Sequence, residues 1–136
     1  MLVFMFMKES SGIIVKSKDR VLLCQRSDNG KWAIPMGGIE DGEDPKDAAY
    51  REFYEETNLE ITDNIKFLGK IKRSKSGNVN NILHLFLFEV SDKPEPSLDD
   101  AQDGFEHTEC GYFTEKQIDV LDMDESLKHF ICKIIF

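Results

Sequence analysis

Three glutamates close together in the chain are the residues whose types and spacing best suit chemistry. Glu52, Glu55 and Glu56 follow an i, i+3, i+4 pattern, so on a helix they share an arc of roughly 100°. They fall near the predicted end of that helix, where the helix dipole disfavours carboxylates by roughly 0.3–1 kcal/mol each. A divalent cation would reverse this penalty. The pattern therefore favours a magnesium or manganese site over a merely solvated acidic face.

The segment 45–57 is predicted to form the helix that carries these acids. Asp44 suits the N-cap and Pro45 suits the first helical position. Asn58 tolerates the left-handed conformation found just beyond helix ends, so the helix is expected to stop there. The preceding segment 37–42 is rich in glycine, which would let the loop fold back over the acidic face.

Apolar runs rich in β-branched residues alternate with polar turns on both sides of this helix. One hairpin is predicted from segments 12–15 and 20–25, and a second from 65–71 and 81–90. The other predicted elements are strands at 32–34 and 106–113, a capped helix at 114–120 and a closing helix at 124–135. At 136 residues the chain has the length of a single domain, 1–136.

Composition limits the partners and the compartment. The net charge of -9 argues against stable nucleic-acid binding and against anionic membranes, although metal ions would still permit a phosphorylated substrate. Segment 1–7 is apolar but too short to span a membrane, and it could pair across a homodimer. Cys24, Cys110 and Cys132 are expected to be small buried residues in a reducing cytoplasm, without disulfides or a zinc site.

Four further side chains each have two interpretations. Trp32 could stack on a base, but a lone Trp in an apolar segment favours the core. His84 could be catalytic, but its position within a strand favours a structural role. Arg26 and the basic hairpin tip with Arg73 and Lys75 could bind phosphates, or they could be solvated surface residues.

The segment 37–59 resembles the Nudix box, Gly-x5-Glu-x7-Arg-Glu-U-x-Glu-Glu-x-Gly-U, in which U is a bulky aliphatic residue. The matching residues are Gly37, Glu43, Arg51, Glu52, Glu55, Glu56 and Leu59. Phe53 replaces an aliphatic residue and Asn58 replaces the last glycine, and neither change removes a carboxylate. Met36 stands where many family members have glycine.

The resemblance implies an α/β fold, a Nudix-type α/β/α sandwich with a mixed, partly antiparallel sheet. It also implies an enzyme that hydrolyses the pyrophosphate linkage of a nucleoside diphosphate joined to another group X. The implied metal ligands, for Mg²⁺ or Mn²⁺, are Glu52, Glu55, Glu56 and the backbone carbonyl of Met36. Residues Gly37, Glu43 and Arg51 are expected to brace the box. Candidates for the general base are Glu55, Glu106 and Glu109.

Alternatives and the choice of substrate stay open at the level of sequence. A noncatalytic nucleotide-binding or sensor module on the same fold is the second hypothesis, although such modules usually lose carboxylates from the box. A structural acidic helix with incidental calcium affinity is the third, and the chain lacks a ladder of calcium ligands. Candidate substrates are nucleoside triphosphates, dinucleoside polyphosphates, and ADP-ribose or other nucleotide sugars.

Overall fold

The computed structural model describes residues 8–75, 78–96 and 107–136, with the backbone alone at 74, 75, 78–80, 107 and 108. In these ranges the chain forms a mixed sheet of seven strands with helices on both faces. The strands are β1 (Lys8–Ser17), β2 (Arg20–Arg26), β3 (Trp32–Ala33), β4 (Met36–Gly38), β5 (Lys66–Lys75), β6 (Asn78–Val90) and β7 (His107–Phe113). The helices are α1 (Pro45–Thr57), α2 (Glu115–Asp119) and α3 (Glu125–Phe130), followed by a π-helical segment (Ile131–Ile135).

Both predicted hairpins are confirmed. Strands β1 and β2 pair antiparallel through a turn in which Lys18 has a φ of 55°. Strands β5 and β6 also pair antiparallel, with two register shifts. The pairing that joins the two hairpins is parallel, and it runs along β1 and β6 from Lys8 opposite Asn81 to Ser17 opposite Val90. The sheet order is therefore β3-β2-β1-β6-β5, with β4 added to β1 and β7 added to β2.

The two faces of the sheet carry separate apolar cores, which makes the fold an α/β/α sandwich. Successive side chains of a strand point to opposite faces, and β1 shows this alternation in its buried residues. Ile14 packs into the core beneath α3 and the π-helical segment, whereas Ile13 and Val15 pack beneath α1 around Phe53. The predicted fold class is confirmed.

Helix α1 begins and ends where the local signals indicate. The Asp44 side chain accepts a hydrogen bond from the Lys46 backbone N–H, and Pro45 is the first helical residue. Asn58 ends the helix in the left-handed conformation, with a φ of 59°. The Ser11 hydroxyl of β1 donates to the Pro45 carbonyl at 2.7 Å, which fixes the start of α1 on the sheet.

The prediction of one regular closing helix was wrong in its last part. The α-helix stops at Phe130 and a π-helical segment follows, which has more residues in each turn than an α-helix. The apolar side of a regular helix, which would include Leu127, Ile131 and Ile134, is therefore shifted by about one residue at its end. Ile134 is consequently 56 % exposed, and Ile135 is buried instead.

The expectation of three separate thiols was also wrong. Cys24 of β2 and Cys110 of β7 are directly opposite each other in the sheet and are joined by a disulfide, whereas Cys132 is a free thiol. The pairing depends on the register between two strands that are far apart in the chain.

Three sequence predictions fall outside the described residues: the arm at 1–7, the side chain of Lys75 and the candidate base Glu106. Within the described ranges, no helix is long and apolar enough to cross a membrane.

Candidate functional site

Arg51 joins the glycine-rich loop to α1. Its Nε and Nη2 atoms each donate to a different oxygen of Glu43, both at 2.9 Å, and Nη2 also donates to the Gly38 carbonyl at 2.9 Å. Two parallel N–H···O bonds of this kind are strong and directional. The hydrogen bond with Glu43 is the main cause that raises the pKa of Arg51, and the same bond lowers the pKa of the Glu43 carboxyl. The structure therefore brings the expected bracing residues together.

The other arm of the Arg51 guanidinium lies between two of the predicted metal ligands. Its Nη1 atom is 2.8 Å from Glu52 Oε1 and 3.1 Å from Glu55 Oε2. The helix places these carboxylates side by side because they are three residues apart. The two acids thus share one positive group at the point where a cation was predicted.

Glu52 is held in a space that exists only because residue 37 is glycine. A Cβ atom built on Gly37 would lie 2.1 Å from Glu52 Oε2 and 2.2 Å from its Cδ atom. The carboxylate is buried at 9 % exposure against the backbone of β4. Strand β4 is itself pressed against β1, since a Cβ on Gly12 would be 2.8 Å from the Cβ of Met36. The two glycines allow the sheet, loop and helix to meet closely.

Glu56 is the most buried of the three acids, at 3 % exposure. Its Oε2 atom accepts a hydrogen bond from the Met36 backbone N–H at 2.9 Å. This contact fixes the carboxylate beside the residue whose carbonyl was the fourth predicted ligand. The three acids therefore line the junction of β4 and α1, although Glu55 is more exposed than the other two.

The donors at this junction suit a hard divalent ion, since carboxylate and carbonyl oxygens are preferred by magnesium and manganese. As they are placed, no three His, Cys, Asp or Glu side chains within the described ranges converge closely enough to enclose a metal ion. The Arg51 Nη1 atom donates to both Glu52 and Glu55 at this junction. The space behind Gly37 and the shared cation contact both fit a cation site.

A cleft of about 600 Å³ opens beside β4 and contains both predicted phosphate-binding arginines. Arg26 lies at its rim, where Nε and Nη2 donate to the two carboxylate oxygens of Asp28, each at 3.0 Å. Arg73 lies deeper, on β5, and donates to Asn81. The hydrogen bond with Arg26 is the main cause that lowers the pKa of the Asp28 carboxyl.

Trp32 shows features of both of its interpretations. Its ring packs edge-to-face on Phe113, with the centroids 4.9 Å apart, and it also borders the cleft.

His84 is buried on β6, and its Nε2 lies 3.0 Å from Glu9 Oε1, which favours the structural interpretation. Glu109 is exposed on β7, opposite Gln25 of β2.

Ser10, Asn81 and Asp124 are among the cleft residues that sequence reasoning missed. Ser10 and Asn81 come together because β1 and β6 run parallel, a pairing that no local signal predicts. Asp124 carried a usable signal as a helix N-cap, and its Oδ1 accepts from the Leu127 N–H at 3.0 Å. A cap at the start of α3 could have been placed near the cleft only once the fold was known.

The fold and the site together define an α/β sandwich in which an acidic helix packs against a glycine-rich loop. The chain belongs to the NUDIX domain family, whose model matches residues 6–134. It is 43% identical over 63 residues to an RNA pyrophosphohydrolase of Pelagibacter ubique, covering 44% of this chain and 40% of that protein. It is 49% identical over 47 residues to Nudix hydrolase 25 of Arabidopsis thaliana, covering 34% of this chain and 27% of that one. Both matches span less than half the length of the relative.

Two solved structures illustrate the shared fold. The MutT NUDIX hydrolase from Burkholderia pseudomallei superposes with a TM-score of 0.78 at 17% identity, covering 93% of this chain and 97% of that one. An Ap4A hydrolase binary complex from C. elegans superposes with a TM-score of 0.74 at 18% identity, covering 91% and 92%. At these identities the likeness concerns the fold.

Proposed function

We propose that this chain is a metal-dependent pyrophosphohydrolase that cleaves the pyrophosphate linkage of a nucleoside diphosphate joined to another group. The carrying observation is that Glu52 and Glu55 share one cationic group while the space behind Gly37 holds the Glu52 carboxylate. Carboxylates gathered near a helix C-terminus repel one another unless a cation lies among them. Membership of the NUDIX domain family supports the same reaction.

In this proposal Glu52, Glu55, Glu56 and the Met36 carbonyl hold Mg²⁺ or Mn²⁺. Such an ion would neutralise the phosphate charge, orient the phosphates and lower the pKa of a bound water. Glu52 and Glu55 would hold such an ion in place of their contacts with Arg51 Nη1, while the bonds of Arg51 to Glu43 and to the Gly38 carbonyl would keep the loop on the helix. The contact of Glu56 with the Met36 N–H keeps that carboxylate facing the loop.

The residues that contact substrate are also proposals. Glu55 is the favoured general base because it is the most accessible of the three acids Glu52, Glu55 and Glu56. Glu106 and Glu109 remain the other candidates. Arg26 and Arg73 bind phosphates in the cleft beside the junction. A nucleotide is therefore the proposed partner. The expectation of a cytoplasmic location rested on free thiols, and the Cys24–Cys110 disulfide removes that support.

The variant Glu56→Gln tests the metal-dependent reaction. A glutamine oxygen can still accept from the Met36 N–H, so we expect the fold to persist and its thermal unfolding midpoint to change little. Magnesium-dependent turnover should fall about 10²–10³-fold, the usual loss when one electrostatic stabiliser is removed. Glu60→Gln, at an exposed acid beyond α1, is the matched control. Unchanged magnesium-dependent turnover in Glu56→Gln would contradict the proposed metal-dependent reaction.

A panel of nucleotides with magnesium, read by released phosphate or pyrophosphate, identifies the substrate. It includes nucleoside triphosphates, dinucleoside polyphosphates, ADP-ribose and, because of the relatives named RNA pyrophosphohydrolase, an RNA with a 5′-triphosphate. The net charge of -9 leads us to expect faster turnover of small nucleotides than of the RNA. Binding without product release over hours would instead support the noncatalytic sensor module.

A further inference from the structure

Arg73 is a half-buried cation that the fold holds in one orientation. Its Nε and Nη2 atoms both donate to Asn81 Oδ1, at 3.0 and 2.5 Å. Asn81 is fixed in turn, because its Nδ2 donates to the Ser10 hydroxyl at 3.0 Å. The remaining contact is Nη1 to the Met36 sulfur at 3.8 Å. The side chains of β1, β4 and β6 thus align the guanidinium in the wall of the cleft.

All of these acceptors are neutral, so the positive charge has no direct counter-charge. Among the described residues, no carboxylate lies within ion-pair distance of Arg73. Burial is the main cause that lowers the pKa of Arg73; among the described residues Asp124 acts in the opposite direction and Arg26 lowers the pKa further. A buried charge without a partner is costly, whereas an anion in the cleft would stabilise it.

The rest of the cleft is also more positive than the protein as a whole. Among the described residues, four cationic side chains and two acids line it: Lys8, Arg26, Lys31 and Arg73, against Asp28 and Asp124. The whole chain, by contrast, carries a net charge of -9. A local excess of positive charge on an acidic protein attracts polyanions into this cleft.

Met36 connects this cleft to the proposed metal site. Its backbone N–H donates to Glu56, and its sulfur accepts from Arg73, so one residue separates the two groups. A metal held by Glu56 and its neighbours would supply positive charge for the phosphates of the cleaved linkage. Arg73 therefore borders the same residue as the proposed metal ligand Glu56, and its planar fork suits the oxygens of a further phosphate of the same substrate.

We propose that Arg73, aligned by Asn81, binds the phosphate beyond the cleaved linkage and makes this chain prefer substrates with three or more consecutive phosphates. The inference rests on the proposed function for its metal site and its reaction. It assigns nucleotide sugars, which have two phosphates, to the poorer substrates. Asn81 is a positioning residue in this scheme, since it acts through Arg73.

Binding of inorganic tripolyphosphate in metal-depleted buffer, followed by titration calorimetry, tests the site without any turnover. We expect wild-type protein to bind tripolyphosphate more tightly than pyrophosphate. Arg73→Gln should weaken tripolyphosphate binding about 10- to 100-fold, the loss expected for hydrogen bonds to a charged group. The control is Arg20→Gln, which removes one partly exposed arginine at the start of β2, outside the cleft, and should leave binding unchanged. Equal affinity for the two anions, or equal loss in both variants, would overturn the proposal.

Asn81→Asp separates the role of charge from the role of structure. Aspartate can accept the same bonds from Arg73 and can accept a new one from the Ser10 hydroxyl, so we expect the unfolding midpoint to stay or rise. The added carboxylate supplies the missing counter-charge, so tripolyphosphate should bind at least about tenfold more weakly. A lower midpoint with unchanged binding would contradict the positioning role.

Turnover distinguishes failure of this inference from failure of the proposed function. With magnesium, wild type should cleave a nucleoside triphosphate with a higher kcat/KM than ADP-ribose, and Arg73→Gln should reduce that ratio mainly through the KM for triphosphate. If the protein turns over both substrates and Arg73→Gln leaves the ratio of their kcat/KM values unchanged, the inference about Arg73 is overturned and the proposed function still stands. Tripolyphosphate binding that requires Arg73, in a protein with no turnover of any nucleotide, supports the anion site and overturns the proposed function.

Discussion

Replacing Gly37 by alanine moves one predicted metal ligand while leaving the chain around it in place. The added Cβ would lie 2.1 Å from Glu52 Oε2, whereas ordinary contact begins at 3.4 Å, so the carboxylate must retreat by about 1.3 Å. The atoms that move are the far end of a side chain, so the loop and helix need not shift. The φ of Gly37 is not positive, so alanine adds no backbone strain. The cost therefore falls on the position of the carboxylate.

A displacement of about 1 Å at a catalytic group can reduce turnover by about 10²-fold. We expect that loss in magnesium-dependent kcat/KM for Gly37→Ala, together with weaker binding of Mn²⁺ measured by electron paramagnetic resonance. The thermal unfolding midpoint in metal-depleted buffer should change little, because the displaced carboxylate lies beside Arg51, which can follow it.

Gly38→Ala is the matched control for this experiment. A Cβ at Gly38 meets nothing within 4 Å, and its φ is not positive either. We expect it to keep activity within about twofold of wild type, as for an ordinary exposed substitution. Wild-type activity and Mn²⁺ affinity in Gly37→Ala, or the same loss in both variants, would refute the assignment of Glu52 to the metal site.

Two further predictions concern stability. The pKa of Glu43 is lowered by its hydrogen bonds to Arg51, so its contribution to stability is present above the ordinary glutamate pKa and is lost as the pH falls below about 4.3. Unfolding midpoints in metal-depleted buffer from pH 7 to 3 should therefore fall more steeply for wild type than for Glu43→Gln, and parallel curves would contradict this. The Cys24–Cys110 disulfide closes a loop with a sequence separation of 86, so reduction should lower the free energy of unfolding by about 2–4 kcal/mol. Denatured wild-type protein should show one reactive thiol before reduction and three afterwards. In a Cys24→Ala/Cys110→Ala variant the reductant should leave the free energy of unfolding unchanged.

The elements that could be predicted from the sequence are those specified by local signals. Asp44, Pro45 and Asn58 define α1 through capping and backbone preferences that act within a few residues. Turn residues and alternating apolar side chains likewise specified the β1–β2 and β5–β6 hairpins. The spacing of Glu52, Glu55 and Glu56 placed three acids on one side of α1 before any fold was known.

The features that could not be predicted depend on contacts between distant segments. The parallel pairing of β1 with β6 joins residues more than 70 positions apart and brings Ser10 to Asn81. The β5–β6 hairpin places Asn81 opposite Arg73, so the three side chains meet only when both pairings form. The disulfide needs Cys24 to face Cys110 across β2 and β7, which a slip of one residue would prevent. The π-helical segment after Phe130 reflects packing of the last residues on the sheet.

The geometry of Arg51 explains how one guanidinium group can hold the loop on the helix and also contact the acids of the proposed cation site. Its Nε and Nη2 atoms are directed to Glu43 and to the Gly38 carbonyl, whereas Nη1 alone reaches Glu52 and Glu55. A divalent ion could therefore replace the Nη1 contacts without releasing the loop from the helix. Lysine has a single ammonium group and could not divide its donors in this way. The single positive charge of Arg51 is outnumbered by the carboxylates of Glu52, Glu55 and Glu56, so the junction stays negative. A negative junction favours binding of a divalent cation.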